Sequence, residues 1–121
     1  YHFWEPPPDA GALPMHGSDF GLYQLAEVLG LRQLIFVKDE DGLFDRDPKR
    51  HPDARKLPHL TLAQLLPQLP AELPIDREIF RAWPHGKNLR RIVIVNGLIP
   101  GQLTRALAGD DVGTVITKEL P

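Results

Sequence analysis

The stretch VKDEDGLFDRDPKRHPDA, residues 37–54, crowds acids and bases around Gly42 and Pro48 directly after the apolar run LRQLIFV. Carboxylates and ammonium groups massed at a strand end can grip a charged ligand, or they can form a solvated turn. In open α/β sheets ligands settle outside the carboxyl ends of the strands, and the loop 38–48 follows such an end. Against this, Asp41-Gly42 and Asp47-Pro48 are ordinary turn formers, and composition alone leans to the turn.

Asp19 is a second candidate. A carboxylate in the first turn of a helix stabilises it by roughly 0.3–1 kcal/mol against the macrodipole, whatever else it does. A helix start is also where phosphates and other anions settle on free amides, and a carboxylate there can hold a metal ion or orient a lysine. His2 and His16 are separated by a proline-rich loop without the ligand spacing of a zinc site, so a solvated or hydrogen-bonded role competes with ligation. His51, His59 and His85 stand beside prolines or charges and read as exposed. NGLIPG, residues 96–101, can cradle an anion where a helix begins. It lacks the lysine and Ser/Thr of a P-loop, and GxGxxG is absent too, so a strand-to-helix turn is the simpler reading.

Certain elements must position these groups. In SDFGLYQLAEVLG, Ser18 can cap a helix, Leu22, Leu25, Ala26 and Leu29 fall at helical spacing, and Gly30 ends it at C′. The apolar residues of RQLIFVK are contiguous, which predicts a strand covered on both faces and therefore a parallel one. RRIVIVNG at 90–97 has the same character, and VGTVIT at 112–117 is a shorter third strand. Between the last two, PGQLTRALAGD reads as a short helix, Pro100 near its start and Gly109 at its end. Strand, helix and strand at this spacing predict a right-handed βαβ crossover. Thr61 is expected to cap LAQLL, and Asp76 to cap REIFRAW. Residues 1–17, with Pro6, Pro7, Pro8 and Pro14, read as an irregular loop pinned to a surface by Tyr1, Phe3 and Trp4.

The totals bound the answer. One domain fits 121 residues, and 42% hydrophobic content suffices for a modest core. A net charge of -2 offers no electrostatic case for nucleic acid or an acidic membrane surface. Lys49, Arg50, Arg55 and Lys56 are interleaved with Asp45, Asp47 and Asp53, the mark of a solvated surface. Without cysteine, disulfides and thiolate chemistry are excluded. No apolar run approaches the roughly 20 residues that span a bilayer, and the expected location is cytoplasmic.

Together SDFGLYQLAEVLG, IFVKDEDGLFDRDP with PDA following, and VNGLIPGQLTRALAGDDVGTVIT resemble the C-terminal half of the amino acid kinase superfamily, which includes uridylate, aspartate and acetylglutamate kinases. The resemblance implies an α/β fold, a partial three-layer αβα sandwich with a mostly parallel sheet. Residues 1–121 would be the C-terminal, nucleotide-binding half, with the N-terminal half absent. By the same resemblance Phe44 and Asp47 lie at an ATP site and Lys38 adjoins the nucleotide, where uridylate kinases carry threonine. Asp19 matches the aspartate that organises catalytic lysines, and 11–18 the segment that contacts the acceptor substrate.

QLIFVKDEDGL, VNGLIPGQLTRALAGDDVGTVIT and the aromatic, proline-containing opening are most similar to an oxoanion-storing branch of that superfamily. This implies paired kinase-like subunits in a homo- or hetero-oligomeric cage, binding ATP with Mg2+ and holding molybdate or tungstate as oxide clusters. His2 and His16 would then meet the polyoxomolybdate, since imidazole can coordinate metal-oxide clusters or, protonated, pair with their oxygens. Phosphoryl transfer depends on positioning and charge neutralisation, so half a site is not expected to turn over ATP by itself. The alternatives are the C-terminal half of a uridylate-type kinase and a non-catalytic kinase-like binding module.

Overall fold

The computed structural model describes residues 18–70 and 73–118; the readings placed on 1–17, with His2 and His16, lie outside the described residues. Helix α1 (Ser18–Val28) leads into strand β1 (Gln33–Lys38). After the long loop come β2 (His59–Thr61) and α2 (Leu62–Leu65), then α3 (Glu78–Ala82), β3 (Arg91–Asn96), α4 (Gln102–Leu107) and β4 (Thr114–Thr117). One sheet runs in the order β1-β3-β4-β2. Pairs β1–β3 and β2–β4 are parallel, and β3–β4 is antiparallel.

Alternation along the strands sorts side chains to two unequal layers. Phe36, Ile92, Ile94 and Ile116 face α1, α2 and α3 in a large core with Trp83, Phe80 and Ile79. Val93, Val95 and Val115 face the other way, onto Ala106 of α4 and Val112. This is the expected α/β architecture, helices on both faces of a mostly parallel sheet.

Local chemistry explains most of the boundaries. At the end of α1 the Gly30 amide donates to the Glu27 carbonyl and Leu31 to Ala26. At the end of α4, Gly109 donates to Ala106 and Asp110 to Arg105. Both are Schellman closures, and the glycines take the positive φ they need, 72° and 92°. Thr61 caps α2 as expected: its hydroxyl accepts from the Gln64 amide while the Gln64 side chain accepts from the Thr61 amide.

Three expectations are corrected. The crossover over 90–117 is not parallel, because β4 re-enters beside β3 in the opposite direction. Val115 and Ile116 of β4 pair with Val93 and Ile92 in antiparallel register, so the connection through α4 is a return beside β3 and not a crossover. Asp76 does not cap α3; its carboxylate accepts from the Phe20 amide, 3.1 Å away in the first turn of α1. Strand β1 is parallel to β3 as expected, but among the described residues it lies at the edge of the sheet and one of its faces is incompletely covered, with Val37 48% exposed. In α1 the buried side is Gly21, Tyr23 and Ala26, while Leu22 and Leu29 are exposed.

Candidate functional site

β1 and β3 end together, Lys38 opposite Asn96, and β4 begins at the same end, Thr114 opposite Ile94. The loop 39–57 arches over this end of the sheet. A single hydroxyl anchors it. Thr114 is fully buried, and its Oγ1 accepts from the Leu43 amide at 2.8 Å and donates to the Leu57 carbonyl at 2.7 Å. Leu57 in turn donates to Leu43, Asp45 to Arg55, and Phe44 bridges Lys56, so the loop closes as a short hairpin-like excursion. Gly42 must be glycine here: a Cβ would lie 2.5 Å from Thr114 Oγ1.

Asn96 ties the loop from the other side. Its Nδ2 donates to Asp41 Oδ1 at 2.9 Å, its Oδ1 accepts from the Leu98 amide, and its own amide donates to Gln102. The amides of Gly97, Leu98 and Ile99 all donate within the chain, so NGLIPG is a strand-to-helix turn and not an open anion cradle.

The site residues read from the sequence fall into two pairs. Asp19, in the first turn of α1, and Lys38, at the end of β1, meet directly: Nζ is 2.9 Å from both carboxylate oxygens. The side chains are 14% and 27% exposed, respectively. Phe44 and Asp47 line a hollow of ≈ 140 Å³ together with Gly42, Arg46, Pro48 and Pro74. That is smaller than the roughly 300–1,000 Å³ of pockets that enclose a whole small molecule.

Asp47 also serves the turn. Its Oδ1 accepts from the Lys49 amide, its carbonyl accepts from Arg50 and His51, and Oδ2 is 3.7 Å from Arg50 Nε. Residues 38–56 hold six acids and six bases. Arg46 lies within 3.6 Å of Asp53, and Lys49 within 3.5 Å of Glu40. Such exposed pairs are worth about 0–1 kcal/mol, as the solvated-surface reading holds. His51, His59 and His85 are exposed.

No group of three His, Asp or Glu side chains among the described residues could hold a metal ion. Asp19 is already bound to Lys38, and Asp47 to its own turn. A Mg2+ arriving with a nucleotide would therefore rest on phosphate oxygens and water, as Mg2+ commonly does, and not on a protein cage.

A second, open groove of ≈ 490 Å³ runs between α1 and residues 82–88, lined by Phe20, Tyr23, Glu27, His85 and Lys87. Sequence reading missed Glu27, which joins the two walls. Its Oε2 accepts from the Tyr23 hydroxyl at 2.7 Å, and its Oε1 from the amides of Asn88 and Leu89 at 2.8 and 3.0 Å. Burial works against its charge, but the bond from Tyr23, those from Leu89 and Asn88, and nearby Lys118 outweigh it, holding the carboxyl below its ordinary value. Burial first, and then the same carboxylate, push the Tyr23 phenol up. Thr114 and Asn96 were missed as anchors as well; a polar residue inside or ending a contiguous apolar strand was the available signal.

The loop and the Asp19–Lys38 pair sit at the carboxyl end of the sheet, and the chain belongs to the amino acid kinase family, whose sequence profile matches residues 7–96. It is 38% identical over 117 residues to the molybdenum storage protein subunit beta of Azotobacter vinelandii, covering 97% of this chain and 43% of that subunit. With the uridylate kinase of Thermotoga maritima it shares 31% identity over 107 residues, 88% of this chain and 44% of that kinase. The chain thus spans about half the length of the curated relatives it matches. Among solved structures, UMP kinase from Bacillus anthracis superposes with a TM-score of 0.74 at 24% identity, over 89% of this chain and 43% of its own, a likeness of fold. Uridylate kinase from Archaeoglobus fulgidus gives 0.65 at 27% identity, over 87% and 49%.

Proposed function

We propose that this chain is the C-terminal, nucleotide-binding half of an oxoanion-storage subunit, working in the cytoplasm within a cage of kinase-like subunits that accumulates molybdate or tungstate as oxide clusters. The observation that carries the reading is the 38% identity to a molybdenum storage subunit over 117 residues, 97% of the chain. ATP stacks its ring on Phe44 in the hollow beside Asp47, and its phosphates run toward the end of β1, where Lys38 and Asp19 meet. His2 and His16 are the proposed ligands of the oxoanion, on the strength of the sequence resemblance. The phosphate-gripping half of the site comes from elsewhere in the same polypeptide or from another one.

A uridylate-type kinase is the second reading, favoured by the matches to uridylate kinases. Metal analysis of intact protein purified from molybdate-supplemented cells, with and without ATP, separates the two. Storage predicts ATP-dependent uptake of many molybdenum atoms per subunit, reduced by His2→Ala with His16→Ala. Steady phosphorylation of uridylate with no bound molybdenum would sink the storage reading and promote the kinase.

A further inference from the structure

The alternation that sets Val93, Val95 and Val115 against α4 carries polar side chains to the same face of the sheet. Arg91 stands two residues before Val93 and Thr117 two after Val115, and the antiparallel register places them directly opposite each other. Gln33, two residues before Ile35, is the partner of Arg91 in β1. Arg91 begins β3 and Asn96 ends it, so about 16 Å of strand separate this polar row from the loop 39–57. Among the described residues, the buried side-chain nitrogen and oxygen atoms without a hydrogen-bond partner are Arg91 Nε, Arg91 Nη2 and Thr117 Oγ1. All three belong to this one row.

Nε and Nη2 form the edge of a guanidinium that takes an oxyanion two-pronged. Burying two charged N–H groups unpaired is costly, and an acceptor with two oxygens recovers that cost while accepting from the Thr117 hydroxyl as well. Asp111 does not fill the role. Its Oδ1 stops 3.8 Å from Nη2, and its side chain is 74% exposed, against 28% for that of Arg91. So exposed a contact holds weakly, and the carboxylate can swing out into water. We infer that Arg91 and Thr117 form an anion site on the α4 face of the sheet. It takes one small oxyanion of the carboxylate or phosphate type, which displaces Asp111 from the fork. Neither Phe44 nor Asp47 takes part, and the site stands whether or not their loop binds ATP.

Equilibrium dialysis of the intact protein against radiolabelled acetate and, separately, inorganic phosphate tests the inference, with ionic strength held constant by chloride. The parent should retain at least one of the two. Arg91→Lys keeps the charge and removes the fork, so it should weaken that binding tenfold or more. Thr117→Val should weaken it several-fold, and Asp111→Asn, which removes the competing carboxylate, should tighten it threefold or more. Retention of acetate alone makes the ligand a carboxylate, of phosphate alone a phosphate-type anion, and of both a fork that accepts either. Urea midpoints are measured for each variant; if Arg91→Lys fails to fold, the opposite signs expected of Thr117→Val and Asp111→Asn decide. Binding of neither anion, binding in Arg91→Lys within twofold of the parent, or weaker binding in Asp111→Asn would overturn the inference and leave the fork to Asp111.

Discussion

Thr114→Val removes one oxygen and leaves the side chain's shape unchanged, which makes it the cleanest probe of how the loop is held. The hydroxyl joins the Leu43 amide, 71 residues away in sequence, to the Leu57 carbonyl, 57 away. Leu43 is 0% exposed, so its amide finds no water and should cost about 1–3 kcal/mol when unpaired. Leu57 is half-buried, and its carbonyl can be partly rehydrated at a cost of about 1 kcal/mol or less. The added methyl returns about 0.8 kcal/mol through burial. The net loss is about 2 kcal/mol, concentrated on local opening of the loop. Hydrogen exchange at the Leu43 amide in the intact protein should therefore quicken by roughly 30-fold, since 1.4 kcal/mol is a factor of ten. Thr114→Ser keeps the hydroxyl and should keep the protection, at about 1 kcal/mol of packing loss. Exchange in Thr114→Val within threefold of the parent, with no drop in the urea midpoint, would refute the claim that this hydroxyl anchors the loop.

Phe44→Ala should weaken ATP binding by about 1–3 kcal/mol, the scale of one buried aromatic side chain, in calorimetry on the intact protein; equal affinity would leave the loop a turn only. Gly86→Ala would place a Cβ 1.7 Å from Glu27 Oε2 and 2.6 Å from the Tyr23 hydroxyl. Because three hydrogen bonds hold that carboxylate, relief means breaking at least one charged bond, and urea unfolding should show a loss of about 1.5–3 kcal/mol. Glu27 also sets a pH dependence. With its folded value depressed, its contribution is complete above the unfolded value of about 4.3 and is lost as pH falls through the folded one. Thermal unfolding from pH 6 to 3 should therefore fall less steeply for Glu27→Gln than for the parent; parallel profiles would argue that the carboxylate's partners do not matter.

The sequence made the locally determined parts legible and hid those settled at a distance. Gly30, Gly109 and the Thr61–Gln64 box act within a few residues of themselves, and their roles were readable. The direction of β4 shows only in its pairing with β3, a contact between strands that no periodicity within either one contains. Strand β2 is three residues long, too short to show alternation, and exists because β4 offers it a parallel edge. An apolar run such as QLIFVK says that much of a strand is covered, but not that its outer edge and Val37 are left open. Asp76 was recognised as a capping residue and assigned to the wrong helix, because its partner Phe20 is 56 residues away.

The same distinction resolves the loop. Turn and binding loop were weighed as rivals for residues 38–48, and in the structure Asp47 both closes the turn and lines the hollow. Its Oδ1 and carbonyl close the turn over Lys49, Arg50 and His51, and that closure is what sets the side chain against the hollow beside Phe44. Turn chemistry here is the means by which a flexible, charge-balanced segment acquires a fixed shape. With six acids against six bases between residues 38 and 56, the loop has no net field with which to attract a distant anion. On the proposed function, recognition would therefore come from short-range contact with held groups. Those are Phe44, fixed by the bridge to Lys56, and Lys38, fixed by Asp19. Binding on these terms would depend on Thr114 and Asn96, which hold the loop in place through Leu43, Leu57, Asp41 and Leu98, as much as on the groups proposed to meet the ligand.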